Sequence, residues 1–313
     1  STIMPANSVS GGYEISNSLR FNDGDSSQLN STNVGTVTLD TKFTYSVWLK
    51  KTAIVTANQN ILSADSGNNR AQIYFRSGSN DAIRFLESPD AFSSFDSILT
   101  TDALFRDPSA WYHIVVAYDS TDGTAANRVK IYANGVLQTL SGTTVNENYT
   151  TPFNEASYNL DIGHSKGEEF FDGYMSDANF IDGQTLAPTD FGEFDNNNEW
   201  IPKAYTGTYG NNGFYLEFKE TGTGTNASGI GADTSGNDNH WAVTNLAATD
   251  ITTDTPTNNF ATMNPLYLRT GGAPVFSEGN TFSDQSASNT LQFSTILVTQ
   301  GKWYMEVKVV AVG

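Results

Sequence analysis

The chain has 313 residues, 38% of them hydrophobic and only 16% charged, and its 16 Lys plus Arg against 34 Asp plus Glu leave a formal net charge of −18. Such a polyanion repels phosphate backbones and excludes nucleic acid as a partner. Cysteine is absent, which excludes disulfide staples, a thiolate zinc site and a cysteine nucleophile together.

Asn, Thr, Ser and 27 Gly dominate the polar remainder, a balance that suits a sheet protein with many turns and few helices. No run approaches the roughly 18 apolar residues of a membrane span, so no membrane insertion is expected. The opening STIMPANSVSGG lacks the basic-then-apolar order of a signal peptide, and the expectation is a protein made in a cytoplasm and not exported by a secretory route.

Residues 1–17 hold Pro5, Gly11 and Gly12 and little apolar material, and read as an extended N-terminal arm. From Ser18 the pattern changes. In FTYSVWLKK (43–51), Phe43, Tyr45, Val47 and Leu49 alternate with smaller or polar residues, the period of a half-buried strand. Further short runs follow at NILSA (60–64), AQIYFRS (71–77), AIRFLE (82–87), WYHIVVAYD (111–119), RVKIYANGVLQ (128–138), LDIGH (160–164) and GYMSDANFID (173–182). They are β-branched or aromatic and separated by turn residues, with a hairpin signal at Asn134 and Gly135. The fold class is therefore all-β, an antiparallel sandwich over 18–200.

Two short helical segments are expected, at 94–105 and at 188–194, where Pro188 would open a first turn ahead of Asp190 and Glu193. Residues 201–265 read as a loop-rich connector lying partly along the sandwich surface, with one strand at 213–218. New strand signals at 289–298 and 302–310 suggest a second, incomplete sandwich over 266–313, since two or three strands cannot stand alone.

Catalytic chemistry is hard to find. Sandwich enzymes that cleave glycans need two carboxylates facing one groove, and no Glu-x-Asp-x-Glu spacing occurs. The nearest groupings are Glu168, Glu169 and Asp172, and Glu193, Asp195 and Glu199, all in loop-like sequence where a solvated surface explains them. His113, His164 and His240 are widely spaced and form no ligand pattern; His113, inside an alternating strand, reads as a packed or surface-facing structural residue. The glycines between 222 and 236 lack the Lys of a phosphate loop. No catalytic, cofactor-binding or metal-binding residue is therefore assigned.

Calcium is the one cofactor left open. Asn22, Asp23 and Asp25, Asp172, and Asp233 with Asp238 offer hard oxygen ligands, yet none completes a calcium-loop pattern and plain turns account for them. Trp48, Trp111 and Trp303 lie in strand patterns that predict burial, whereas Trp200 and Trp241 sit in loop-rich sequence and are the better candidates for exposed sugar stacking. The glycosylation-like triplets at Asn30, Asn148 and Asn226 are assigned no role in a chain this rich in Asn, Ser and Thr.

Taken in order, FTYSVWLKK, WYHIVVAYDSTDGTAANRVKIYANGVLQ, LDIGH and FFDGYMSDANFIDGQTLAPTDFGEF resemble the concanavalin A-like jelly roll in its laminin-G/pentraxin form. The resemblance implies two stacked antiparallel sheets and no fixed function, because that fold serves lectins, enzymes and structural modules. SVSGGYEISNSLRFNDGDSSQLNST (8–32) and the stretches GADTSGNDNHW (231–241) and TDTPTNNFATMNPL (253–266) are similar to bacteriophage structural proteins of tail-fibre type, and FSEGNTFS (276–283) with GKWYMEVKV (301–309) resembles the start of a SPRY-like domain.

The phage resemblance implies a non-enzymatic virion subunit, a tail fibre or other appendage involved in host attachment. Its arm would dock to other virion proteins, and its sandwiches would bury sheet edges in a homo-oligomer such as a trimer. The alternatives are a carbohydrate-binding module recognising a host-surface glycan, and a glycan hydrolase with unrecognised carboxylates.

Overall fold

Inward and outward residues separate cleanly along the longest strand: Phe43, Tyr45, Val47 and Leu49 enter the main core while Thr44, Ser46, Trp48 and Lys50 face the other way. The computed structural model describes residues 12–32, 35–53, 57–77, 81–165, 169–266, 274–284 and 291–310.

The first strands are β1 (Ser18–Phe21), β2 (Gln28–Thr32), β3 (Lys42–Lys51), β4 (Gln59–Ser66), β5 (Asn69–Phe75), β6 (Ile83–Ser88) and β7 (Ser97–Thr101). Next come β8 (Tyr112–Asp119), β9 (Val129–Ala133), β10 (Val136–Leu137), β11 (Leu140–Thr143), β12 (Asn159–Ile162) and β13 (Gly173–Asp182). The rest are β14 (Gly192–Phe194), β15 (Trp200–Pro202), β16 (Phe214–Leu216), β17 (Ala242–Thr244), β18 (Ile251–Thr252), β19 (Val275–Ser277) and β20 (Phe282–Asp284).

They form two large antiparallel sheets. Sheet A runs β10-β9-β8-β3-β13-β1-β18 with β16 added on β13, and sheet B runs β11-β7-β6-β5-β4-β12-β2-β17. Residues of the 201–265 stretch thus supply β16 and β18 to sheet A and β17 to sheet B. An aromatic row crosses the inner face of sheet A: Phe43 stacks on Tyr118 at 5.1 Å and on Phe180 at 5.3 Å, Phe180 stacks on Phe214 at 5.5 Å, and Trp241 meets Phe214 edge-on at 4.9 Å. Each such side chain removes large apolar area from water, and truncating one to alanine costs about 3–5 kcal/mol.

Sheet A is buried on both faces, which explains why every residue of β13 is buried. Its outer face is covered by three separate pieces of chain. Tyr13 and Ile15 pack with Trp48, Trp111 and Tyr174; Phe191, Leu186, Tyr205 and Tyr209 pack on Val115 and Ile181; and the β19–β20 turn meets Tyr174, whose hydroxyl donates to the Gly279 carbonyl at 2.9 Å. Residues 13–17 of the expected arm are thereby held to the sandwich. The Tyr13 and Tyr215 hydroxyls both donate to Asp177 Oδ1, at 2.9 and 2.6 Å, and Asp177 itself sits in a bulge of β13 with φ of 51°.

Three local expectations are corrected. Residues 94–105 form no helix: β7 runs through them, because Ser97, Leu99 and Thr101 alternate with Ile98 and Thr100 and the strand pairs with β6 and β11. At 188–194 the helical part is a single 3-10 turn, Pro188–Asp190, followed at once by β14. The strands expected at 289–298 and 302–310 are also absent among the described residues; Tyr304, Met305, Val307 and Val309 are exposed, and no sheet edge meets them. Residues 1–11, 267–273, 285–290 and 311–313 of the expected arm and second sandwich lie outside the described residues.

Candidate functional site

The histidine of the central strand is fully buried. His113 stacks on Trp48 at 4.7 Å, its Nδ1 accepts from Trp200 Nε1 at 2.9 Å, and its Nε2 faces Ser46 Oγ at 2.8 Å. Because Nδ1 is an acceptor, the ring carries its proton on Nε2 and donates it to the serine. Burial holds its pKa down, at about 3, so the ring stays neutral. A Ser–His pair sealed from solvent this way is a packing unit.

The tryptophans reverse part of the sequence reading. Trp241 is buried in the core and Trp200 is half-buried over His113, so neither is an exposed stacking platform. Trp303, expected as a buried strand residue, is half exposed, and its segment pairs with no strand among the described residues.

The acids singled out in the sequence do not converge. Glu193 is exposed on β14, and the Asp195 carboxylate caps its own turn, accepting from the backbone N–H groups of Asn197 and Glu199 at 2.9 and 2.7 Å. Glu169 lies on sheet B, accepting from Asn58 Nδ2 and Gln72 Nε2, while Glu168 lies outside the described residues. Asp172 accepts from Thr52 Oγ1 at 3.0 Å, and burial, with Asp23 nearby, pushes its pKa to about 7.

The loops that left calcium open are occupied by the chain itself. Asp233 Oδ1 accepts from the N–H groups of Tyr215 and Ser235, and Oδ2 from Ser235 Oγ and the Asn239 N–H. Asn22 Nδ2 donates to Asp25 Oδ2. Among the described residues no group of three His, Asp or Glu side chains is placed to hold a metal ion.

A cleft forms on the outer face of sheet B. Asp161 of β12 stands opposite Asn30 of β2 on one side and Ser63 of β4 on the other, and Asn159 stands opposite Asp65. The turn carrying Asp238 and His240 closes one wall, giving an open cleft of about 560 Å3 lined by Asn30, Asp65, Asn159, Asp161, Asp238 and His240 among others. That volume falls within the usual range for small-molecule sites.

Its chemistry is that of hydrogen bonding to hydroxyls. Carboxylates accept, and amides both accept and donate; no Phe, Tyr, Trp, Lys or Arg is among the described residues lining it. Asn30 Nδ2 donates to Asp161 Oδ1, and Thr244 Oγ1 donates to Asn30 Oδ1 at 3.2 Å, so the floor is pre-arranged. Burial raises the Asp161 pKa to about 6, the Asn30 bond opposes the rise, and nearby Asp65 adds to it. His240 Nδ1 accepts from the Asp233 N–H at 3.0 Å, which turns Nε2 towards Asp238 at 3.8 Å.

Nothing in the sequence alone marks Asp65, Asn159 and Asp161, and Asn30 stands out there only as part of a chance triplet. A signal existed: Asn159 and Asp161 are polar residues spaced by two on a strand whose alternate residues, Leu160 and Ile162, are core. Polar residues at that period belong to every solvated strand face, and only the register shows which of them meet.

Two stacked antiparallel sheets with an open polar face define a concanavalin A-like sandwich. The model of the concanavalin A-like lectin/glucanases superfamily, in its laminin-G form, matches residues 22–190, and the chain belongs to this superfamily.

Solved structures are similar to the chain at low identity, and the first of the three below shares its fold. A putative carbohydrate-binding protein from Bacteroides ovatus matches with a TM-score of 0.52 and 15% identity, covering 77% of this chain and 60% of that one. A SAP-like pentraxin from Limulus polyphemus matches with a TM-score of 0.41 and 16% identity, over 56% of this chain and 80% of that one. Mouse laminin α1 domains LG4-5 match with a TM-score of 0.39 and 13% identity, over 65% of this chain and 49% of that one. No curated protein sequence matches the chain.

Proposed function

We propose that the chain is a non-catalytic carbohydrate-binding module and that its glycan lies in the cleft on the outer face of sheet B. One observation carries this reading: the outer face of sheet B holds an open cleft of about 560 Å3 lined by carboxylates and amides. Membership of a lectin-bearing superfamily and the fold shared with a putative carbohydrate-binding protein support it. Lacking an aromatic platform, the cleft would rely on hydrogen bonds, which contribute about 0.5–1.5 kcal/mol each.

The setting proposed for such a module is a phage appendage, with the cleft turned to a host-surface glycan and residues 1–12 docking to the particle. That setting rests on the sequence resemblance of residues 8–32, 231–241 and 253–266. Deleting residues 1–12 while leaving Tyr13 in place should abolish incorporation into particles; normal incorporation would remove the docking role.

The binding reading is tested by a glycan array followed by calorimetry on the hits. Asn159→Ala and Asp161→Ala should each weaken binding roughly tenfold or more. Unchanged binding in both variants would place the glycan elsewhere, and release of reducing ends from the bound glycan would overturn the non-catalytic reading.

A further inference from the structure

The outer face of sheet A holds a lysine sealed from solvent. Lys50, near the end of β3, is wholly buried, and its Nζ lies 2.9 Å from Asp254 Oδ2, 2.8 Å from Asn259 Oδ1 and 2.9 Å from the Phe260 carbonyl. The Tyr174 ring stands 5.9 Å from the same nitrogen, and Trp111 closes the far side of Asp254 by donating to its Oδ1 at 3.1 Å. Burial pulls the lysine pKa below its ordinary range, although Asp254 and Asp107 push it up.

A lysine against one carboxylate is an ordinary buried ion pair. Here a carboxamide touches the same nitrogen, and that changes the chemistry open to it. A desolvated lysine that hands a proton to a neighbouring carboxylate becomes a nucleophile. The electrophilic Cγ of Asn259 lies one C=O bond, about 1.2 Å, beyond the oxygen that meets Nζ. Both partners of the amine are held in place: Asn259 Nδ2 donates to the Ser109 carbonyl at 2.8 Å, and Asp254 Oδ1 accepts from the Phe260 N–H at 3.1 Å as well as from Trp111. Such fixed proximity removes the entropic cost of bringing amine and amide together.

We propose that Lys50 Nζ and Asn259 Cγ become joined by an intramolecular isopeptide bond, which the folded chain forms by itself with Asp254 as the proton carrier. The lysine gives a proton to Asp254 Oδ2, and the freed lone pair attacks Cγ while the C=O electron pair moves onto Oδ1. When that pair returns, the Cγ–Nδ2 bond breaks and its electrons leave on Nδ2. Of the three protons of Nζ, one stays on the new amide and two pass in turn through Asp254 Oδ2 to Nδ2, which departs as ammonium. Asp254 ends as the carboxylate it began, and no further reactant is consumed. Asn259 is only half-buried, so the ammonium has a way out. The product ties the middle of sheet A to the segment that follows β18, across 209 positions of the sequence, by a bond that survives loss of the hydrogen bonds around it.

The test is intact-mass spectrometry on the full chain, folded and then denatured. The mass should fall short of the sequence mass by one ammonia, tryptic digestion should yield a branched peptide joining the residues around Lys50 to those around Asn259, and the denatured chain should run faster on a gel than an uncrosslinked variant. Asn259→Ala removes the amide from a half-buried position and should restore the full sequence mass and the slower migration. Asp254→Asn should do the same if the carboxylate carries the protons; a bond formed in that variant would overturn the role given to Asp254. A wild-type chain that keeps its full sequence mass would overturn the isopeptide bond, as would an ammonia loss that maps to a succinimide at Asn134–Gly135 with Lys50 free, or one that persists in Asn259→Ala.

Discussion

Trp200 donates its indole N–H to Nδ1 of His113 across 2.9 Å, joining a residue from beyond the jelly-roll strands to the central strand of sheet A. The same ring lies on the Asn134–Gly135 turn, where a Cβ on Gly135 would come within 2.4 Å of it. A buried polar pair and a tight turn are therefore locked by one side chain from β15.

Trp200→Phe keeps most of the ring area but leaves His113 Nδ1 without its donor. The expected cost is about 1–3 kcal/mol, the penalty of an unsatisfied buried acceptor. Denaturant unfolding would read it as a lower midpoint, and NMR of the wild-type imidazole should show no titration between pH 5 and 8.

Gly135→Ala and Gly67→Ala form a matched pair. Both glycines have positive φ, +77° and +67°, but nothing lies within 4 Å of a Cβ at Gly67. Gly67→Ala should cost about 1–2 kcal/mol, the left-handed penalty alone, and Gly135→Ala distinctly more because the indole must move. Equal losses in melting experiments would rule out the packing role given to Trp200.

Lys50 is wholly buried and gives its three protons to Asp254 Oδ2, Asn259 Oδ1 and the Phe260 carbonyl at 2.8–2.9 Å. Lys50→Met strands the Asp254 carboxylate, with Trp111 Nε1 and the Phe260 N–H as its remaining donors. Breaking a buried pair costs about 3–5 kcal/mol. The double variant Lys50→Met/Asp254→Asn should recover part of the loss, and limited proteolysis should show residues 253–260 released in the single variant.

Glu87 lies between the sheets, receives Thr151 Oγ1 at 2.6 Å, and is pushed by burial to a pKa of about 8 from 4.5. The folded chain keeps a proton that the unfolded chain has already released, so this stability is full below pH 4.5 and is lost as pH rises through about 8. Asp161, Asp172 and Asp177, raised to about 6, 7 and 6, act in the same direction. The melting temperature should fall from pH 5 to pH 8, and Glu87→Gln should flatten that slope; an unchanged slope would mean that Glu87 is ionised in the fold.

Much of the sandwich is legible in single strands. Alternation in FTYSVWLKK and WYHIVVAYD marks the inward residues, and the positive φ of Asn134 and Gly135 is what an Asn-Gly hairpin turn demands. The failures have one source. Local sequence predicts an exposed Trp241 and a buried Trp303, yet Phe214 covers the first and no sheet edge among the described residues meets the second. The stretch 94–105 became a strand because β6 and β11 offered it ladder hydrogen bonds, a tertiary preference stronger than its local one.

The sequence by itself determined an all-β, antiparallel, cysteine-free and acidic sandwich, because period-two alternation and turn residues act over a few positions. The tertiary structure alone decided which outward side chains meet in a cleft. Alternation says that Asn30, Asp65, Asn159 and Asp161 face outward, but it is the register of β2, β12 and β4, and the return of residues 238–240 over them, that turns four solvated side chains into a cleft.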